Sequence, residues 1–141
     1  MALEISDHVK QQVNGAYGDM RWLVLGYIGG DGYPHLSHRG STHVHGPQPL
    51  AIWARNPVGG FQKAIEKRPE VGLFLFNPGD PVALLTFKGR ARLDPSQNEA
   101  VWAATPQGEK DQDPERRGGA VIIDLDSIAG LGPDGFFTIE R

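Results

Sequence analysis

The chain has 141 residues, a formal net charge of −3 at pH 7 and no cysteine, with 39% apolar and 22% charged residues. This composition is ordinary for a globular protein, and the length suits a single domain over residues 1–141. The absence of cysteine excludes disulfides, thiolate metal sites and thiol catalysis, and the lack of a basic excess argues against nucleic-acid binding. There is no run of about 18 apolar residues for a membrane span and no apolar core of a secretion signal at the N-terminus. We therefore expect a cytoplasmic protein without a nucleic-acid or membrane partner.

The first part of the chain predicts a short helix and then a series of strands. Apolar residues at near-helical spacing predict an amphipathic helix over residues 3–13. An apolar strand over residues 21–29 follows, and the dipeptide DG after it is a hairpin signal. Residues 34–46 predict a polar strand, and a turn at HGPQ joins it to another strand over residues 49–56.

Four of the five histidines fall within PHLSHRGSTHVHG, residues 34–46. The odd-numbered positions from His35 to His45 are all polar, so one face of this strand faces water or lines a polar site. A metal site needs three converging ligands, but only His43 and His45 lie within reach of each other, and the segment has no Asp or Glu. We expect no metal here. Histidines that form surface or interface hydrogen bonds and histidines beside a ligand both remain open interpretations.

The second part of the chain contains the clearest strand pattern. In residues 82–93 the odd-numbered positions are apolar or glycine, and the central Gly89 suggests a strand that curls as in a small barrel. Residues 58–68 predict a helix that buries Phe61 and Ile65. The remaining predicted elements are strands over residues 70–77, 120–131 and 135–141, a helix over 95–106, and a polar loop or mobile flap over 107–119.

Six or seven strands, many joined as sequential hairpins, indicate an antiparallel barrel. Between Trp22 and Leu93, the segments PHLSHRGSTHV, LAIWARNPVGGFQKAIEKRPEVGLFLF and LLTFKGRARL make the chain resemble the pyridoxamine 5′-phosphate oxidase-like family. The resemblance implies a mainly β fold, a six-stranded antiparallel split β-barrel (Greek key) with short peripheral helices. It also implies a homodimer that binds flavin mononucleotide (FMN) between its subunits.

The resemblance implies flavin-contacting residues on two strands. Arg39 stands where such an arginine is usual in the family. The residues implied to lie beside the flavin are Arg39, Gly40, Ser41, Thr42, His43, Trp53, Ala54 and Arg55. The glutamine that the founding oxidases carry on the long strand is replaced by Ala83-Leu84-Leu85.

The phosphate loop departs from the family pattern. The founding oxidases carry Ser-Arg-Lys there, whereas this chain has Gly59, Gly60 and Phe61. A Gly-Gly pair that opens a helix presents backbone N–H groups to an anion, and the helix dipole adds a favourable potential. We expect these amides to bind the phosphate, with positive charge from Arg39, Arg55 or Lys63.

These observations predict an FMN-dependent oxidoreductase that acts on a small-molecule substrate, with NAD(P)H or a deazaflavin as possible electron partner. No side chain is a convincing acid–base catalyst, and the flavin itself carries the redox chemistry. The alternative is a non-catalytic split-barrel protein that binds flavin, a deazaflavin or haem. A metal-dependent hydrolase is the least favoured reading.

Overall fold

The computed structural model describes residues 3–56, 59–79 and 81–141. The strands are β1 (Val24–Ile28), β2 (Pro34–His38), β3 (His43–Val44), β4 (Leu50–Ala54), β5 (Glu70–Asn77), β6 (Ala83–Leu93), β7 (Gly119–Gly132) and β8 (Gly135–Glu140). The helices are α1 (Asp7–Gly15), α2 (Gly60–Lys67), α3 (Asn98–Ala104) and α4 (Gln107–Lys110), and a 3₁₀ turn (Pro95–Gln97) precedes α3.

The eight strands form one antiparallel sheet, in which seven follow the order β2-β1-β5-β6-β7-β4-β3 and β8 pairs with β7 outside this path. The long β7 pairs with β6 along one edge, and along the other it pairs first with β4 and then with β8. The sheet curls into a split β-barrel with the helices at its periphery, which confirms the predicted mainly β fold. The predicted number of six strands is wrong, since the described residues contain eight. Among these residues, no helix is both long and apolar enough to cross a membrane.

The strand predicted over residues 82–93 is β6, and its alternation decides which face forms the core. Ala83, Leu85, Phe87 and Ala91 are all buried on the inner face. The register with β7 shifts between Lys88 and Gly89. A Cβ at Gly89 would lie 2.6 Å from the Asp124 carbonyl oxygen, so the close approach of β7 requires glycine at this bulge.

Two predicted helices are present with shifted ends. The N-terminal helix begins only at Asp7, because the Ser6 hydroxyl caps it by accepting a hydrogen bond from the Val9 amide. In α2, Phe61 and Ile65 are buried as predicted. Val58, at the predicted start of that helix, lies outside the described residues.

The single polar strand predicted over residues 34–46 is wrong, because a turn divides it into β2 and β3. The Arg39 carbonyl accepts hydrogen bonds from the Thr42 amide at 3.2 Å and from Thr42 Oγ1 at 2.7 Å. The polar loop predicted over residues 107–119 is also wrong at its start, where the chain forms the helical turn α4. The Pro106 carbonyl accepts hydrogen bonds from the amides of Glu109 and Lys110 and so begins that turn.

Candidate functional site

Arg39 is a half-buried cation at the end of β2. Its Nε donates a hydrogen bond to Ser37 Oγ at 3.1 Å, and its Cζ lies 4.6 Å from the centre of the Phe61 ring. Burial is the main cause that lowers the pKa of Arg39, and the neighbouring Arg55 lowers it further. Within the described residues no carboxylate oxygen lies within 4.0 Å of the guanidinium. Arg39 therefore carries a partly desolvated positive charge that no described carboxylate pairs with directly, although Glu109, farther away, raises its pKa.

The start of α2 lies beside this cation. Gly59 is the N-cap residue, and no side-chain hydrogen bond caps the helix among the described residues. The expected phosphate contact of the Gly59 amide does not fit this structure, because that N–H donates to the Asn56 carbonyl at 3.2 Å. The ring of Tyr27 contacts Phe61 at a centroid distance of 5.1 Å, and a Cβ at Gly60 would lie 3.9 Å from the Tyr27 hydroxyl. Uncapped amides and the positive end of a helix dipole attract anions. Arg39, Arg55 and the first turn of α2 thus converge on one electropositive spot.

Lys63, the other predicted cation, is exposed on α2. Its backbone N–H donates to the Gly59 carbonyl at 3.4 Å. No contact in the described part of the chain joins its ammonium group to the two arginines, so its contribution to the electropositive spot is long-range.

The hydroxyl groups of the next segment are engaged by the backbone. Ser41 Oγ accepts from the Trp53 amide at 2.9 Å and donates to the Trp53 carbonyl at 3.3 Å. Thr42 Oγ1 donates to the Arg39 carbonyl at 2.7 Å. Ser41 therefore holds the turn against β4, and Thr42 closes the turn itself, so both hydroxyls are already hydrogen-bonded to the backbone.

His43 is buried and points one ring nitrogen at the backbone. Nδ1 lies 3.0 Å from the Ser41 carbonyl, and because a carbonyl only accepts, Nδ1 carries the proton and Nε2 is an acceptor. Nε2 is buried and has no partner among the described residues. Burial is the main cause that lowers the pKa of His43, and the nearby His45 lowers it further. His43 also borders a cavity of about 180 Å³, which is lined by Asn14, Tyr17, Thr42, His43, Val44, Ala104 and Pro106.

The two neighbouring histidines form a pair without a third ligand. The ring centres of His43 and His45 lie 5.5 Å apart, and His45 Nε2 is hydrogen-bonded to Gln97 Oε1 at 3.0 Å. In residues 3–56, 59–79 and 81–141 no group of three His, Cys, Asp or Glu side chains is placed to hold a metal ion.

Trp53 and Ala54 are both buried, Ala54 in the main hydrophobic core and Trp53 in a smaller cluster with Val101 and Ile122. Trp53 Nε1 donates to Asp113 Oδ2 at 2.9 Å, and its ring meets Trp102 at a centroid distance of 4.9 Å. Both Trp53 and Ala54 are buried, and a Cβ at Gly118 would overlap the Ala54 carbonyl oxygen. The structure does not bring these two side chains to the electropositive spot, and it gives them a packing role instead.

Sequence reasoning missed two residues that cover the segment after Arg39. The Glu109 carboxylate, on α4, lies so close to Gly40 that a Cβ there would overlap it. The Tyr17 ring lies 3.4 Å from the same added atom. Glu109 sits in a charged segment without periodicity, so nothing in its sequence context separates it from a solvated loop residue.

A groove of about 620 Å³ lies on the outer face of the sheet. Gly26 and Gly72 form its floor, and its walls include Leu36 and Phe74, whose side chains are 74% and 40% exposed. Lys88 and Asp126 lie at its rim. Such a contiguous apolar surface is larger than isolated surface residues produce and indicates a contact face.

The chain matches no protein-family model and no curated protein significantly, but solved structures share its fold. A protein of the pyridoxinephosphate oxidase family from Clostridium acetobutylicum, related to general stress protein 26 of B. subtilis, is similar with a TM-score of 0.68 and 14% identity over 96% of both chains. General stress protein 26 from Bacillus anthracis strain Sterne is similar with a TM-score of 0.70 and 17% identity, over 95% of this chain and 99% of that one. A haem-binding protein from Mycobacterium smegmatis is similar with a TM-score of 0.67 and 12% identity, over 96% of this chain and 60% of that one. At these identities the likeness shows the fold, which is that of pyridoxamine 5′-phosphate oxidase-like proteins and confirms the resemblance seen in the sequence.

Proposed function

We propose that this protein is an FMN-binding member of the pyridoxamine 5′-phosphate oxidase-like family and a flavin-dependent oxidoreductase of a small molecule. The observation that supports the proposal is the Arg39 cation, which forms no ion pair among the described residues, at the start of α2 with Arg55 close by. A partly buried charge is costly unless it is paired. A dianionic phosphate supplies the missing counter-charge and accepts hydrogen bonds from both the guanidinium and the helix amides.

The surroundings of Arg39 prepare it for this role. Ser37 holds Nε, and the Phe61 ring supports one face of the guanidinium, so the Nη groups are oriented, and among the described residues no hydrogen bond from them is found. Arginine pairs with phosphate through two parallel N–H donors, which a fixed guanidinium plane favours. The first-turn amides of α2 and Arg55 complete the phosphate contacts that the Ser-Arg-Lys loop supplies in the founding oxidases. When bound, FMN supplies the redox chemistry, and the chain supplies position and electrostatics.

Haem is the second candidate, since one structural neighbour binds it. His43 Nε2 has the unprotonated lone pair that a haem ligand needs. The cavity beside His43 is about 180 Å³, however, and sites for ligands of drug size or more measure about 300–1,000 Å³. This cavity is therefore too small for a haem, and the flavin proposal rests on the cationic site at Arg39 and not on a cavity volume.

We further propose a homodimer in which the partner covers the outer groove. Leu36 and Phe74 expose apolar surface there that a second copy would bury. We expect light scattering to give the mass of two chains. Leu36→Lys should shift the protein towards monomer, and an unchanged mass for a dimeric wild type would place the interface elsewhere.

The phosphate site is tested by comparing FMN with riboflavin, which has no phosphate. Loss of a charge-assisted hydrogen bond costs about 1.5–3 kcal/mol, or about one to two decades in affinity. We expect Arg39→Ala and Arg55→Ala to weaken FMN binding by that factor, measured by quenching of flavin fluorescence, and to leave riboflavin binding nearly unchanged. Arg92→Ala is the matched control, because Arg92 is exposed on β6 and is paired with Asp94, directly after β6, and with Asp124 on β7.

Each alternative outcome has a definite meaning. His43→Ala should change neither affinity much, and equal losses for both ligands in the arginine variants would show that the phosphate lies elsewhere. Absence of FMN binding together with a Soret shift on haem addition would favour haem. Bleaching of bound FMN by NAD(P)H or a reduced deazaflavin would distinguish an enzyme from a carrier.

A further inference from the structure

The segment that contains α4 lies directly over the strand segment after Arg39. Two glycines permit this approach: a Cβ at Gly40 would overlap the Glu109 carboxylate, and a Cβ at Gly108 would overlap the Tyr17 hydroxyl. Tyr17 also lies against Gly40, so the three elements meet at one point. The close backbone approach that glycine permits is used here by a part of the same chain.

The Glu109 carboxylate has no bonded partner at this point. Among the described residues it forms no ion pair, although it is close enough to Arg39 to raise the pKa of that guanidinium. Every other acid of residues 107–118 has a hydrogen-bond partner: Asp111 accepts from Gln107, Asp113 from Trp53, and Glu115 from Arg117. Among the described acids of this segment, Glu109 is the one that lies near Arg39, and it forms no ion pair with it.

The segment is fixed at both ends and lightly held between them. Thr105 Oγ1 donates to the Val101 carbonyl at 2.7 Å, and Asp113 accepts hydrogen bonds from Trp53 Nε1 and from the amides of Arg117 and Gly118. Between these anchors the contacts with the rest of the chain include the packing of Gly108 on Tyr17, of Glu109 on Gly40 and of the Lys110 ammonium over the Trp102 ring at 5.6 Å. Residues 106–112 can therefore move as a unit while both anchors stay in place.

We propose that residues 106–112 form a lid and that Glu109 is a built-in competitor for the FMN site. This inference rests on the proposed function, because it assumes that a ligand runs from Arg39 along Gly40. The lid places a carboxylate where that ligand must lie. Binding of a phosphate next to Arg39 requires Glu109 to move, because two anions repel each other across a partly desolvated site.

Two substitutions of Glu109 distinguish the effect of its negative charge from the effect of the space that its side chain fills. Glu109→Gln removes the charge but keeps the shape, so we expect FMN to bind about five- to tenfold more tightly and riboflavin to change little. Glu109→Ala also empties the space, so both ligands should bind more tightly. Glu115→Gln is the matched control, since it makes the same charge change at an exposed residue of the neighbouring segment that is paired with Arg117, and we expect its effect to stay below about twofold.

A second measurement follows the lid itself. FMN should increase amide hydrogen exchange in residues 106–112 of the wild type and leave the amides of Arg117 and Gly118, at the Asp113 anchor, protected. Unchanged or slower exchange in residues 106–112 would show that FMN does not displace the lid.

The inference and the proposed function fail in different ways. If wild type binds FMN and Glu109→Gln behaves like Glu115→Gln, the competitor role is wrong and the FMN site stands. If neither wild type nor any Glu109 variant binds FMN, the proposed function is overturned and the lid role with it. Binding by Glu109→Ala alone would support both, since it would mean that the lid closes the site in the wild type.

Discussion

Two charged residues flank the turn between β2 and β3, and the chain treats them in opposite ways. Asp113 is buried, and its carboxylate accepts hydrogen bonds from Trp53 Nε1 and from the amides of Arg117 and Gly118, each at 2.9 Å. Burial by itself raises the pKa of Asp113, but these hydrogen bonds outweigh it, so the pKa lies below its ordinary value. Arg39 is half-buried, and among the described residues its guanidinium makes one hydrogen bond, to Ser37. Tyr27 and Glu109 offset its desolvation only in part, so its pKa lies below the ordinary value.

The difference separates a structural charge from one held for a ligand. A buried charge whose hydrogen-bonding capacity is filled by its own chain stabilises the fold, and its removal leaves the donors unpaired. A partly buried charge with free donors costs stability in the free protein, and that cost is recovered only when a counter-ion binds. The contrast predicts which substitutions reduce stability and which reduce binding.

The largest expected effect is that of Asp113→Ala on folding. Three donors lose their acceptor in a buried place, so we expect the free energy of unfolding to fall by about 2–4 kcal/mol, measured by urea denaturation. Asp111→Ala, on the same segment but exposed, is the control and should change it by less than about 0.5 kcal/mol. If both substitutions lower the free energy of unfolding equally, Asp113 does not anchor the segment.

Ser41→Ala is expected to have the next largest effect. Its buried hydroxyl serves both the amide and the carbonyl of Trp53, so its loss leaves two backbone groups unpaired and should lower stability by about 1–2 kcal/mol. The ratio of FMN to riboflavin affinity should not change, because the hydroxyl is already hydrogen-bonded to the backbone of β4. A selective loss of FMN binding in this variant would mean that Ser41 contacts the phosphate instead.

The elements that the sequence predicts well are those whose signal lies within a few residues. Every second side chain of β6 is buried, and this alternation is visible in the sequence. The strand begins at Ala83, one residue later than predicted, and ends at Leu93. The pair Phe61 and Ile65 identifies α2 in the same way. The convergence of Arg39 with the Gly59-Gly60 turn was predictable only through the family resemblance, since the two are brought together by the sheet order.

The elements that the sequence does not predict depend on distant partners. The break between β2 and β3 is held by the bond from Ser41 to Trp53, and the anchor Asp113 bonds to a residue 60 positions earlier in the chain. In sequence, Glu109 and Asp113 both belong to a polar segment without periodicity, where the ordinary reading is a solvated loop. Only the fold shows that one of these acids is fully bonded and the other faces a cation.

The pH dependence of stability tests the burial of His43. Because its pKa is lowered in the folded state, the unfolded chain binds more protons below the ordinary value of 6.5. Stability is therefore fully present above that value and falls with decreasing pH until the folded-state pKa is passed. We expect His43→Asn, which keeps a donor for the Ser41 carbonyl, to flatten the slope of unfolding free energy between pH 7.5 and 5.5. The exposed His38, replaced in the same way, should leave the slope as in wild type, and an unchanged slope in His43→Asn would show that His43 titrates normally.

The smallest expected effect on stability is that of Arg39→Met, and it completes the comparison with Asp113. The substitution loses one hydrogen bond to Ser37 and the contact of the guanidinium with Phe61, but it also removes the cost of a partly buried, unpaired charge. We expect the free energy of unfolding to change by less than about 1 kcal/mol, in either direction. FMN affinity should fall by one to two decades in the same variant. A loss of stability comparable to that of Asp113→Ala would mean that the chain itself satisfies Arg39, and the argument for an anionic ligand at this site would fail.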